Sequence, residues 1–115
     1  MKDLENRCLN FSINIRLLIK RLPRNSGNLE DGKQVIRSSG SIGANYIEAN
    51  ESLGEKDKIF RLRISRKEAK ETVYWLTILE KTNIEMSVEI NLLKKEAEEL
   101  QKIISSIIKK LSLKI

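Results

Sequence analysis

Histidine is missing from all 115 residues. Its absence removes the commonest general base, the commonest zinc ligand and the usual partner of a serine or cysteine nucleophile. The chain is therefore expected to be non-enzymatic, with no catalytic residues, metal or cofactor. Cysteine occurs once, as Cys8, so no internal disulfide forms. One proline and five glycines leave few places for turns. No apolar run reaches the roughly 18 residues of a membrane span. The opening "MKDLENRCLN" carries acids and no continuous apolar stretch, unlike a secretory signal. A cytoplasmic location without membrane contact is the expectation.

What is present favours long helices. Hydrophobic residues make up 40% and charged residues 33%, a globular balance in which lysine, glutamate, leucine and isoleucine dominate. Leu4, Cys8, Phe11, Ile15, Leu18 and Leu22 recur at alternating spacings of four and three, the seam of a packed helix that Pro23 ends. On that seam Cys8 reads as a small core residue rather than a nucleophile. Met86, Ile90, Leu93, Ala97, Leu100, Ile104, Ile107 and Leu111 repeat the pattern near the other end. Between them, at about 100° per residue, Leu62, Ala69, Val73 and Leu76 share one face. Phe60, Ile64, Trp75 and Ile78 share another, more than a quarter turn away. Two stripes on one helix point to packing within the bundle and against a second subunit. A broad, deeply buried face is the alternative.

The string "RSSGSIGANYIEAN", Arg37 to Asn50, invites a phosphate-loop reading and does not support it. Gly40 and Gly43 stand three apart, the next basic residue is Lys56, and no β-branched run precedes them. As a helix the segment is coherent. Val35, Ser39, Ile42, Tyr46 and Ala49 form one face, and Ile36, Gly40, Gly43 and Ile47 an adjoining strip with little bulk at its centre. Such strips let backbones approach closely, offsetting a helix penalty of about 1 kcal/mol per glycine. Arg37, Ser41, Asn45 and Glu48 make a polar row that either faces water or bonds to a neighbouring subunit. The fold class that follows is all-α, a single domain with helices over about 2–22, 29–51, 55–82 and 86–112.

Two stretches, "SSGSIGANYIEANES" and "KDKIFRLRISRKEAKETVYWLTIL", carry a resemblance. Within them Ser41 to Tyr46 with Glu48 to Glu51, and Lys67-Glu68-Ala69, Glu71-Thr72 and Tyr74-Trp75-Leu76, are the specific parts. They resemble the bacterial four-helix-bundle proteins encoded by intervening sequences in 23S ribosomal RNA genes, and the related accessory variability proteins of diversity-generating retroelements. The resemblance covers Arg37 to Leu79; the outer helices match only as amphipathic segments. It implies an up-and-down antiparallel four-helix bundle assembled as a homopentameric ring, with no established enzymatic activity. In that setting Ile36, Gly40, Gly43, Ile47, Phe60, Ile64, Trp75 and Ile78 belong at helix-packing or subunit interfaces. The retroelement relatives imply a basic oligomer that engages a reverse transcriptase and nucleic acid. The chain departs from the pattern at Arg66, where a small apolar residue is usual, and at Leu53-Gly54.

Charge is concentrated. Residues 56–70 hold seven basic side chains against two acids, a net of +5 of the chain's +6. Lys56, Arg63, Arg66, Lys67 and Lys70 fall within about a third of the helix circumference. A non-enzymatic homo-oligomer that binds RNA, DNA or a nucleic-acid-handling partner through this surface is the favoured expectation. A protein-interaction scaffold without nucleic-acid contact is its competitor. A solvated face is a third reading, and pairing of these cations with Glu48, Glu68 and Glu71 a fourth. Glu48, Glu68 and Glu71 suggest no di-metal site, because Glu71 stands where the histidine of a Glu-x-x-His pair would be.

Overall fold

The computed structural model describes residues 2–115 and is built from four helices: α1 (Lys2–Arg21), α2 (Ser26–Asn50), α3 (Glu55–Thr82) and α4 (Ser87–Ser112). A single 3-10 turn, Ile84–Met86, leads into α4. No strand occurs among the described residues. Short connections force each helix to run back along the one before it. The packing is sequential: α1 on α2, α2 on α3, α3 on α4, and α4 back on α1. The result is an elongated four-helix bundle of 47 × 22 × 18 Å.

Cross-helix bonds record the antiparallel register. Ser65 donates its hydroxyl to the Ile42 carbonyl at 2.7 Å, and about two turns further along α3 the Thr72 and Ser38 hydroxyls meet at 2.8 Å. Thr72 also lies 2.8 Å from the Glu68 carbonyl, so it donates there and accepts from Ser38. These fully buried small residues, with Ala69, let α2 and α3 approach closely, and the two form the most extensive helix pair. Arg7 reaches Glu96 with two bonds of 2.7 and 2.9 Å, Arg21 pairs with Glu89, and Lys94 meets Glu80 at 2.8 Å.

The core follows the seams. Leu4, Cys8, Phe11, Ile15, Leu18 and Leu22 are all buried, against Val35, Ile42, Tyr46 and Ala49 of α2 and Leu62, Leu76 and Leu79 of α3. On α4 the buried set is Ile90, Ala97, Leu100, Ile104, Ile108 and Leu111, while Leu93 and Ile107 are half-buried. Ile108 joins a seam that strict four-three alternation assigns to Ile107, because an antiparallel bundle buries a face wider than two positions per heptad.

α2 starts at Ser26, three residues before the expected 29. The Asn25 side chain accepts the Asn28 backbone N–H at 2.8 Å, a cap that carries the helix through Gly27. The same end holds a buried amide clasp. Asn28 and Asn83 exchange two side-chain bonds of 2.8 Å each, and their amides reach the Pro23 and Leu79 carbonyls at 2.9 and 3.0 Å. This clasp ties the α1–α2 connection to the α3–α4 connection.

The glycines of α2 work within the chain. A Cβ on Gly43 would sit 3.0 Å from the Cys8 Cβ of α1, and one on Gly32 3.1 Å from Ile19. Gly40 lies under the guanidinium of Arg16 instead, 3.4 Å away. Gly43 is therefore a helix-packing position. Ile36 is half-buried against the core, and Ile47 is exposed.

Candidate nucleic-acid interface

α3 carries more basic residues than any other helix of the bundle, and its outer face is set by register. Ile59, Leu62, Ala69, Thr72, Leu76 and Leu79 point inward, so positions about half a turn away face outward. Two rows emerge. Lys56, Arg63 and Lys70 recur every seven residues along one row. Phe60, Lys67, Tyr74 and Lys81 recur every seven along its neighbour. All seven side chains are exposed. Arg66 lies half-buried at the edge of the strip, and Arg61 is half-buried on the side toward α2.

Two of the acids that could neutralise this strip, Glu68 and Glu71, are engaged elsewhere. Arg37 of α2 pairs with Glu71 and, at 3.3 Å, with Glu68. Glu71 also accepts the Trp75 indole N–H at 3.3 Å. Glu48 is exposed and forms no ion pair among the described residues. Among the described residues none of Lys56, Lys58, Arg61, Arg63, Arg66, Lys67 and Lys70 forms a salt bridge. Internal pairing of the strip with Glu48, Glu68 and Glu71 is thereby corrected. Arg37 outcompetes the α3 cations because it crosses from the facing helix at the level of both carboxylates. The polar row on α2 also resolves: Arg37 bonds across to α3 and Asn45 donates to the Ser41 carbonyl at 2.9 Å.

The antiparallel pairing of α3 and α4 extends the positive surface. Residues 101–115 contain Lys102, Lys109, Lys110 and Lys114 and no acid. Lys58, Lys110 and Lys114 ring a cleft of about 360 Å³ floored by Tyr46, Leu62 and Leu111. Ser112 and Ile115 of the same end adjoin Lys56 and Arg63. Over residues 71–115 as a whole these lysines are cancelled, because seven acids, all before residue 100, balance seven basic residues. Counting half-helices separately brings them out.

Of the four half-apolar positions on the second face of α3, Phe60 is exposed, and Ile64, Trp75 and Ile78 are half-buried. Of these, Trp75 packs against the core from its edge. Tyr74 is 60% exposed, and its ring packs edge-to-face on Trp75 with centroids 5.1 Å apart. On the far side of the bundle, opposite the α1 seam, Leu9, Ile13 and Leu17 form an outward apolar row 57, 44 and 49% exposed. Sequence periodicity passes over that row because the seam on the opposite face of α1 is stronger.

The sequence profile of the 23S rRNA-intervening sequence proteins matches residues 3–106. The chain belongs to that family. A crystal structure of a member of the S23 ribosomal protein family of unknown function, from Bacteroides thetaiotaomicron VPI-5482, superposes with a TM-score of 0.81 at 33% identity. The match covers 92% of this chain and 98% of that one. No curated protein matches. The 23S rRNA-intervening sequence family match spans all four helices, whereas the diagnostic motifs lie on α2 and α3 alone. Those motifs supply the Ser38–Thr72 and Ser65–Ile42 contacts and the Gly43–Cys8 approach.

Proposed function

We propose that this protein is a non-enzymatic, self-associating nucleic-acid-binding bundle whose contact surface is the outer face of α3, extended by the α4 lysines. One observation carries the reading: the strip of Lys56, Arg63, Lys67 and Lys70, edged by Arg66, forms no salt bridge among the described residues, while Glu68 and Glu71 on the same helix are held by Arg37. Like charges at helical spacing repel and destabilise a helix by a few tenths of a kcal/mol per pair. A polyanion offsets that cost by displacing its own counterions. Backbone contact of this kind is salt-dependent and largely indifferent to sequence. With about four phosphates neutralised on a single strand, the logarithm of affinity should fall with the logarithm of salt at a slope near −3. Replacing Arg63, Lys67 and Lys70 by glutamine should flatten that slope and weaken RNA and DNA alike. Unchanged binding in the triple variant removes the strip from the mechanism.

Self-association, expected as a homopentameric ring, is supported by the outward row Leu9, Ile13 and Leu17 and by Ile47, which leave apolar surface on α1 and α2 without intrachain cover. Light scattering coupled to gel filtration reads the assembly directly, and a mass of 13.3 kDa at micromolar concentration rejects it. An Ile13→Asp variant should shift the population toward monomer. A reverse transcriptase or other nucleic-acid enzyme is the partner class that fits such an oligomer.

A further inference from the structure

We infer that the α3 strip is a platform for single-stranded nucleic acid, on which bases stack against Phe60 and Tyr74 while the flanking cations hold the phosphates. The inference rests on the nucleic-acid reading above and narrows it to one class of ligand. Of five aromatic residues in the chain, Phe11 and Tyr46 are buried in the core and Trp75 is half-buried. The two left exposed, Phe60 at 58% and Tyr74 at 60%, fall in a single row of α3 that also carries Lys67 and Lys81. Row order alternates ring and charge: Phe60, Lys67, Tyr74, Lys81. Each step of seven residues advances about 10.5 Å along the helix, so the rings stand roughly 21 Å apart. Arg63 and Lys70 lie alongside in the neighbouring row. At about 3.4 Å per stacked nucleotide the interval spans roughly six nucleotides, within the range of known single-strand sites.

A paired duplex hides its base faces, so exposed rings between cations add nothing to duplex binding. Unpaired bases offer π-faces of every sequence, and ring stacking with cationic phosphate contacts is how sequence-tolerant single-strand binders work. Tyr74 is further fixed by its edge-to-face contact with Trp75, whose indole is tied to Glu71. A ring already steadied by such a contact loses less freedom when a base lands on its open face. A second copy of the chain meeting this face through a twofold axis would set lysine and arginine rows against their own images, which repel.

The test uses the full-length protein, a fluorescein-labelled uridylate dodecamer and a duplex of the same length. Single-strand binding should be at least about tenfold tighter than duplex binding, and Phe60→Ala and Tyr74→Ala should each remove about tenfold of it while leaving duplex affinity unchanged. Trp75 is the only tryptophan, so its emission should be quenched on titration with the dodecamer, and this quench should vanish in Tyr74→Ala. Equal single-strand and duplex affinity, with the aromatic variants silent and the glutamine variants weakened, overturns the stacking platform and leaves backbone binding standing. Failure of both probes to bind at low salt overturns the nucleic-acid reading itself. Aromatic variants that change the assembled mass without changing dodecamer affinity make the strip a contact between copies.

Discussion

Among the described residues, Asn28 and Asn83 form the one fully reciprocal side-chain pair in the interior. Each is 6–8% exposed, so truncating one strands the other amide away from water, at a cost of about 1–3 kcal/mol. Asn28→Ala should therefore lower stability by that amount in chemical denaturation, and Asn83→Ala likewise. The Asn28→Leu/Asn83→Leu double variant should lose less than the sum of the two single losses, because no orphaned amide remains. Cys8 is governed by burial in a different way. Desolvation pushes its thiol up to about 11 from an ordinary 9.0. The folded protein thus favours the protonated form, and this contribution is complete below pH 9.0 and fades as pH rises toward 11. A maleimide should label native protein slowly at neutral pH and quickly after denaturant is added. A Cys8→Ala variant should show a shallower alkaline loss of melting temperature. Fast labelling of the native fold would contradict the packing of α1 on Gly43.

At the scale of the element, α2 tests the role of its glycines most sharply. Gly40 and Gly43 look equivalent in the sequence, both central to a thin strip. Their neighbours differ. The Arg16 guanidinium over Gly40 ends a flexible chain and can move aside, so Gly40→Ala should gain helix propensity and stabilise by up to about 1 kcal/mol. The Cβ that Gly43→Ala adds meets a Cβ fixed to the α1 backbone at 3.0 Å. That substitution should destabilise despite the same propensity gain, because α1 must shift to accept it. Thermal melts of the two variants should move in opposite directions.

The same comparison marks what periodicity reads and what it misses. Four helices and most of their core positions follow from three- and four-residue spacings, since burial repeats with the helix turn. The outward rows on α3 follow from the same arithmetic once the inward face is known. The α2 start was hidden because its signal is a single asparagine cap in a segment rich in loop formers. The Asn28–Asn83 clasp was hidden because it joins residues 55 positions apart. Pairing of Glu68 and Glu71 with Arg37 depends on which helix faces which, and no single-helix projection contains that.

For the whole molecule, charge is distributed unevenly around the long axis. The α3 strip and the end of α4 carry uncompensated cations, whereas Arg7, Arg21 and Lys94 are matched to Glu96, Glu89 and Glu80. Lys94 holds the Glu80 carboxyl below its usual range, so that pair's contribution is intact above the ordinary carboxylate pKa of 4.5 and is lost as acid protonates Glu80 below it. Neutralising the strip should act in the opposite sense to breaking these pairs. Lys56→Gln combined with Lys67→Gln should raise the melting temperature by a few degrees at low ionic strength, and added salt should erase the difference. A fall in melting temperature in that variant would mean the lysines hold the helix together in a way the ion-pair geometry does not contain.

The mutual repulsion along α3 has a practical corollary. A bundle that folds against its own surface charge keeps an unspent tension on that face, which any well-fitted polyanion releases. Heat resistance then becomes an assay: with binding confined to the folded form, an oligonucleotide at a hundred times its dissociation constant should contribute about 2.7 kcal/mol. Screening nucleic acids by the rise in unfolding temperature would rank candidate partners without a label, an activity or a prior guess at sequence.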